Sequence, residues 1–134
     1  MSLTLRVQCA HLLPSGWDAA TFGPLEIFRN NPDADIGLKA HEDHHIACFW
    51  QDPAHYDTKY SSDHMFAMQT ECDCYAIQLQ VYRGANLYPA FYQTALGYMG
   101  STGTVGDIYH WPADVQAQVK ATFDAAMAKL GVTP

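Results

Sequence analysis

Apolar residues recur along this chain with two different periods, and the change of period divides it. From Leu3 to Leu13 they alternate loosely, with Leu3, Leu5, Val7 and Cys9 on one side, which predicts a strand. Pro14-Ser15-Gly16 ends it. Thr21-Phe22-Gly23-Pro24 reads as a turn, and Leu25 to Arg29 as a second short strand able to pair with the first. Asn30 to Asp35 breaks the chain, with Asp33 or Asp35 placed to cap the next element. The period then lengthens. Leu38, His41, His45, Cys48 and Phe49 fall at i, i+3, i+7, i+10 and i+11, which predicts a helix over 36–51 stopped by Asp52-Pro53.

Residues 54–63 are polar and Tyr-rich with no clear period, and read as a connection. A second helix is expected from Ser62 or Asp63 to Arg83, closed by Gly84. Its buried stripe is Met65, Met68, Cys72, Tyr75, Ala76, Leu79 and Tyr82. Tyr88 to Met99 reads as a short third helix starting at Pro89, and Ser101 to Trp111 as a glycine-containing loop. Pro112 and Gly131 bracket a last helix carrying Val115, Val119, Phe123, Met127 and Leu130. A small β-region followed by helices makes this an α+β chain, and 134 residues make one domain spanning 1–134.

Composition narrows the function classes. Apolar residues make up 49% of the chain, enough for a core. The net charge of −7, from 14 acids against 7 bases with no basic block, argues against nucleic acid or an anionic membrane surface as partner. No apolar stretch is long enough to span a bilayer. Cys9, Cys48, Cys72 and Cys74 have neither zinc-ribbon nor C-x-x-C spacing and read as reduced thiols. With no signal peptide visible at Met1 to Arg6, the expectation is a cytoplasmic protein. Oligomeric state is not written in these features.

The chemistry lies in Ala40-His41-Glu42-Asp43-His44-His45. On a helix, His41 and His45 share a face with Cβ atoms roughly 5–6 Å apart, the spacing of two ligands on one zinc ion. Glu42 is rotated off the ligand line, where it reaches a water on the metal; this is the H-E-x-x-H pattern of zinc hydrolases. A catalytic zinc needs a third protein ligand and one open position. The candidates are His55, Asp57, His64, Gln69, Glu71, Asp73 and His110, and a second helix packed antiparallel to the first favours Glu71. Tyr109 or His110 is placed to steady an oxyanion, although aromatics after a glycine loop more often serve as core or lid.

Around these residues the chain resembles the small zincin-like metallopeptidases of the gluzincin type. The likeness spans residues 20–83 and rests on three stretches: the lead-in Thr21 to Phe28, the H-E-x-x-H helix, and Thr70-Glu71-Cys72-Asp73-Cys74-Tyr75-Ala76. It implies a zincin-like fold and a Zn2+-dependent hydrolase acting on a peptide or amide bond of a peptide or protein substrate. His41, His45 and Glu71 would be the metal ligands and Glu42 the general base, with Asp73 orienting a histidine from behind. In many members the ligand glutamate precedes the acid by four positions, a place held here by Gln69. That register implies instead a catalytically inactive scaffold acting as a binding protein.

Overall fold

A computed structural model describes residues 3–85, 90–101 and 107–133. Three short strands come first: β1 Leu5–Gln8, β2 Ala19–Phe22 and β3 Leu25–Phe28. Their order is β1-β3-β2, with β1 parallel and β2 antiparallel to β3. The first strand is shorter than its alternation predicts because its partner β3 is only four residues long. After Cys9 donates to the Phe28 carbonyl, the chain turns into a 3-10 segment, Ala10–Leu12. β2 replaces part of the expected turn. Ala19 and Ala20 carry little strand preference, and pairing across the Gly23-Pro24 hairpin supplies what they lack. Gly23 sits at φ +56, a conformation that favours glycine.

Helix α1, Ile36–Gln51, has the predicted bounds, and Asp35 caps it by accepting from Leu38 N at 3.0 Å. The expected polar connection contains a helix of its own, α2, Tyr56–Ser62. Asp63 then caps α3, His64–Gly84, through Phe66 N. α4 is Phe91–Tyr98; the start expected for it at Pro89 lies outside the described residues, as does 102–106 of the expected loop. The predicted last helix is broken into α5, Ala113–Gln116, and α6, Val119–Lys129, by a tightened turn in which Gln118 N donates to Val115 O. Val115, Val119, Phe123 and Met127 remain buried in one row across the break.

α3 runs through the middle, with α1 on one side and α6 on another. Against α6 and α4 it buries Met68, Cys72 and Leu79, the heart of the main core. α1 crosses it antiparallel: Asp35 at the start of α1 meets Tyr82 near the end of α3, and His45 meets Glu71. This close crossing depends on Gly37, where any Cβ would run into the Tyr82 ring. The sheet leans on α1 through one polar row. Arg6, Glu26 and Thr21 stand abreast across the three strands. Arg6 joins buried Glu26 (2.8 Å) to Asp43 of α1 (2.7 Å), and Thr21 reaches Glu42. The architecture is thus α+β, a three-stranded sheet backed by helices. Among the described residues, no helix is long and apolar enough to cross a membrane. The four cysteines are free thiols.

Candidate metal centre

The α1 residues buried most deeply are Gly37, His41, Glu42, His45 and Ile46, so the inward face of this helix is largely ionisable. Such burial is costly unless each group finds a partner. The partners come from α3, where Glu71, Gln78 and Tyr82 recur at i, i+7 and i+11 and are all buried. His41 Nε2 lies 3.1 Å from Glu71 Oε1, and His45 Nε2 lies 2.9 Å from Oε2. The two imidazole centroids are 5.2 Å apart. One carboxylate therefore faces both rings.

The outer nitrogens are also held. His41 Nδ1 is 2.9 Å from Gln78 Oε1. Gln78 donates its Nε2 to Tyr82 OH (2.7 Å), and Tyr82 donates to Asp35 Oδ1 (2.8 Å). This chain turns the amide oxygen of Gln78 towards the ring and so favours a proton on His41 Nδ1. Its Nε2 then faces a carboxylate oxygen that cannot donate. Only a second ring proton or a metal cation makes that contact favourable. His45 Nδ1 pairs with Tyr56 OH at 3.0 Å.

Glu71 further accepts from Tyr60 OH and from Tyr109 OH (2.9 Å), and Tyr109 meets Tyr75 at 2.7 Å. Burial, then the charge of Glu71, pushes the phenols of Tyr60, Tyr75 and Tyr109 well above the ordinary tyrosine range, so all three keep their protons. Burial alone would raise the Glu71 carboxyl. The charge of His45 and hydrogen bonds from both imidazoles outweigh it and hold Glu71 well below the usual range. Burial works against a charged His45, but Glu71 overrides it and pushes the imidazole up to about 9.

The donor set suits a divalent metal. Two ligands about 2.0–2.1 Å from a tetrahedral ion lie roughly 3.3 Å apart. The observed N···O separations of 3.1 and 2.9 Å need little adjustment to admit one. Each imidazole already has an outer partner of the kind that fixes metal-bound histidines. Cys74, one turn beyond Glu71 and fully buried, offers another donor: the ligand atoms of His41, His45 and Cys74 lie within 4.8 Å of one another. Its thiol is pushed well above the ordinary value by burial and by Glu71, whereas the Glu71 carboxylate is already ionised.

Glu42 is buried beside the pair. Thr21 Oγ1 donates to its Oε2 at 2.8 Å, and its other oxygen has no protein partner among the described residues. It faces a cavity of about 950 Å³ whose walls include β2, α2 and Tyr109.

The other residues singled out in the sequence fall elsewhere. Gln69 and Asp73 are exposed, lining a shallow pocket with Lys129 and Thr122 of α6. Asp73 therefore touches neither histidine, and Gln78 and Tyr56 orient the rings in its place. His55 is exposed and pairs with Asp52, His64 is exposed, and Asp57 stands at the cavity rim. His110 points outward at φ 55 while Tyr109 lines the cavity; Asp107 fixes both by accepting from their backbone N–H groups. Sequence reasoning missed Thr21, Tyr56, Tyr60 and Gln78. For Gln78 a signal existed, since it lies seven residues after Glu71 on the same helix face. Compared with known proteins, the chain matches no family model, no curated protein and no solved structure.

Proposed function

We propose that this protein is a zinc-dependent hydrolase of zincin-like, gluzincin-type form that cleaves a peptide or amide bond. The observation that carries the reading is His41: its Nδ1 proton is committed to Gln78, and its Nε2 is aimed with His45 Nε2 at one buried carboxylate. Three converging donors of the right chemistry, each held from behind, support a metal at their centre. His41, His45 and Glu71 are the ligands in this reading. Glu71 is preferred over Cys74 because its two carboxylate oxygens face His41 Nε2 and His45 Nε2 at 3.1 and 2.9 Å.

A zinc ion there would supply Lewis acidity, lowering the pKa of a water towards about 7 and polarising a carbonyl. The rest falls to the side chains. Glu42 takes the proton from the attacking water through its unpaired oxygen and passes it to the leaving nitrogen. Thr21 holds the other oxygen so that the basic one faces the cavity. Tyr109 gives its one proton to Glu71 and so steadies that ligand from the cavity wall. A peptide substrate is favoured by β2, which pairs only with β3 among the described residues and lines the cavity. An extended segment could add along its open edge.

Zinc analysis of untagged protein, paired with Glu42→Gln, tests the reading. The variant should retain stoichiometric zinc and lose at least about a hundredfold in turnover of a peptide substrate. Zinc-free protein, or unchanged turnover in the variant, would overturn it.

A further inference from the structure

Apart from His45, paired with Glu71, the charged side chains lining the cavity beside the metal centre are all acids. Asp18, Asp35, Glu42, Asp57 and Glu71 line it, and none of the chain's seven Lys and Arg residues does. The bases closest along the chain are engaged elsewhere. Arg29 is held by the carbonyls of Pro14 and Trp17, Lys39 by Asp33, and Lys59 lies 4.4 Å over the Phe66 ring. A divalent cation at the histidines would offset Glu42 and Glu71. Asp18, Asp35 and Asp57 would remain, and none of them forms an ion pair among the described residues. Glu42, 95% buried, adds an unpaired oxygen aimed into the same space.

These charges are not spread evenly. Asp18 immediately precedes β2. Asp57 stands beyond its other end, with Oδ2 3.8 Å from where a side chain at Gly23 would begin. Phe22, the last residue of β2, is 59% exposed beside that turn. The strand is about 13 Å long, so a segment laid along it passes Glu42 and ends where exposed Phe22 and Asp57 both line the cavity. A lysine or arginine side chain matches that pairing, its aliphatic stem on the ring and its cationic head at the acid. An acidic side chain would be repelled there and throughout the cavity.

We propose that the site selects extended peptide segments carrying a lysine or arginine side chain, read by Asp57 beside Phe22 at the end of β2. This rests on the hydrolase reading. The test uses zinc-loaded full-length Glu42→Gln protein and blocked peptides that differ only in having Lys or Glu at each position in turn, with affinity read by fluorescence anisotropy. Lys at one position should bind about tenfold tighter than Glu, with the advantage shrinking as salt is raised. Asp57→Asn should cut that ratio about threefold or more while zinc content stays unchanged. Equal affinity for the two series, or a ratio untouched by Asp57→Asn, would overturn the specificity and leave the hydrolase reading standing. No binding of any peptide would overturn both.

Discussion

Helix α3 is buried on two sides, and the two sides follow opposite rules. Towards α6 and α4 it presents Met68, Cys72, Ala76 and Leu79, which exclude water and make few polar demands. Towards α1 it presents Glu71, Gln78 and Tyr82, each hydrogen-bonded to a named partner. The first face is held by removal of apolar surface, at about 25 cal/mol per Å². The second gains little net stability from burial, because desolvation of its charges offsets their attraction. A polar face this costly persists where it performs a task, and here the task is to fix two imidazoles and a carboxylate around one point.

Cutting each face once gives the largest contrast. Leu79→Ala removes a side chain that is 1% exposed and should cost about 2–5 kcal/mol in urea unfolding, while the folded variant keeps its zinc affinity. Glu71→Ala leaves His45 and the hydroxyls of Tyr60 and Tyr109 without their acceptor. It should cost about 3–5 kcal/mol in the metal-free protein and abolish tight zinc binding. Gln69→Ala, on the exposed surface, should change neither by more than about 0.5 kcal/mol. If Leu79→Ala weakened zinc as severely as Glu71→Ala, the two faces would not be separable. If Gln69→Ala removed the metal, the ligand register would be the other one.

pH acts on the polar face and on Glu26 of the sheet, whose carboxyl is pushed up by burial from 4.5 to about 8. In the metal-free protein His45 is pushed from 6.5 up to about 9. Its contribution is therefore complete below pH 6.5 and is lost as pH rises through about 9. Glu71 is held below its ordinary 4.5, so its contribution is present above that value and disappears as pH falls through the lower, folded one. Glu26 contributes fully below pH 4.5 and loses that contribution as pH rises through about 8, so metal-free protein should be most stable near pH 4.5 and lose urea resistance steadily towards pH 9. Zinc should reverse the alkaline slope, because binding displaces the His45 proton. In a Glu26→Gln background, which removes the other group titrating in this range, a metal-free midpoint that stayed flat from about pH 6.5 to 9 would show that the pair is not ionised.

The same contrast explains what could be read from the chain beforehand. α1 is legible because its cap at Asp35, its stop at Asp52-Pro53 and its period agree. The apolar stripe of α3 is legible for the same reason, and H-E-x-x-H marks the histidines and Glu42. What escapes depends on tertiary crossings. β2 is two alanines, a threonine and a phenylalanine that become a strand only beside β3. α2 has seven residues and no apolar period, yet it brings Tyr56 and Tyr60 to the histidines. The choice of Glu71 over Gln69 follows from which side of α3 the antiparallel α1 covers, and two residues turn a helix by about 200°.

The finest cut through the polar face is at Gln78, which touches no metal position itself. Its amide does two things: the oxygen accepts from His41 Nδ1, and the nitrogen donates to Tyr82. Gln78→Leu keeps the volume and removes both. His41 would then be free to place its proton on either nitrogen and to rotate, so zinc affinity should fall about 10–100-fold. Tyr82 retains Asp35, so the unfolding midpoint should move far less than in Leu79→Ala. Gln78→Glu restores an acceptor to Nδ1 and should recover most of the lost affinity, which a purely structural effect of the leucine would not. If both variants bound zinc like the parent, the chain from Asp35 through Tyr82 and Gln78 would have no part in setting the tautomer of His41. The case for a metal at its Nε2 would then rest on the Glu71 contact alone.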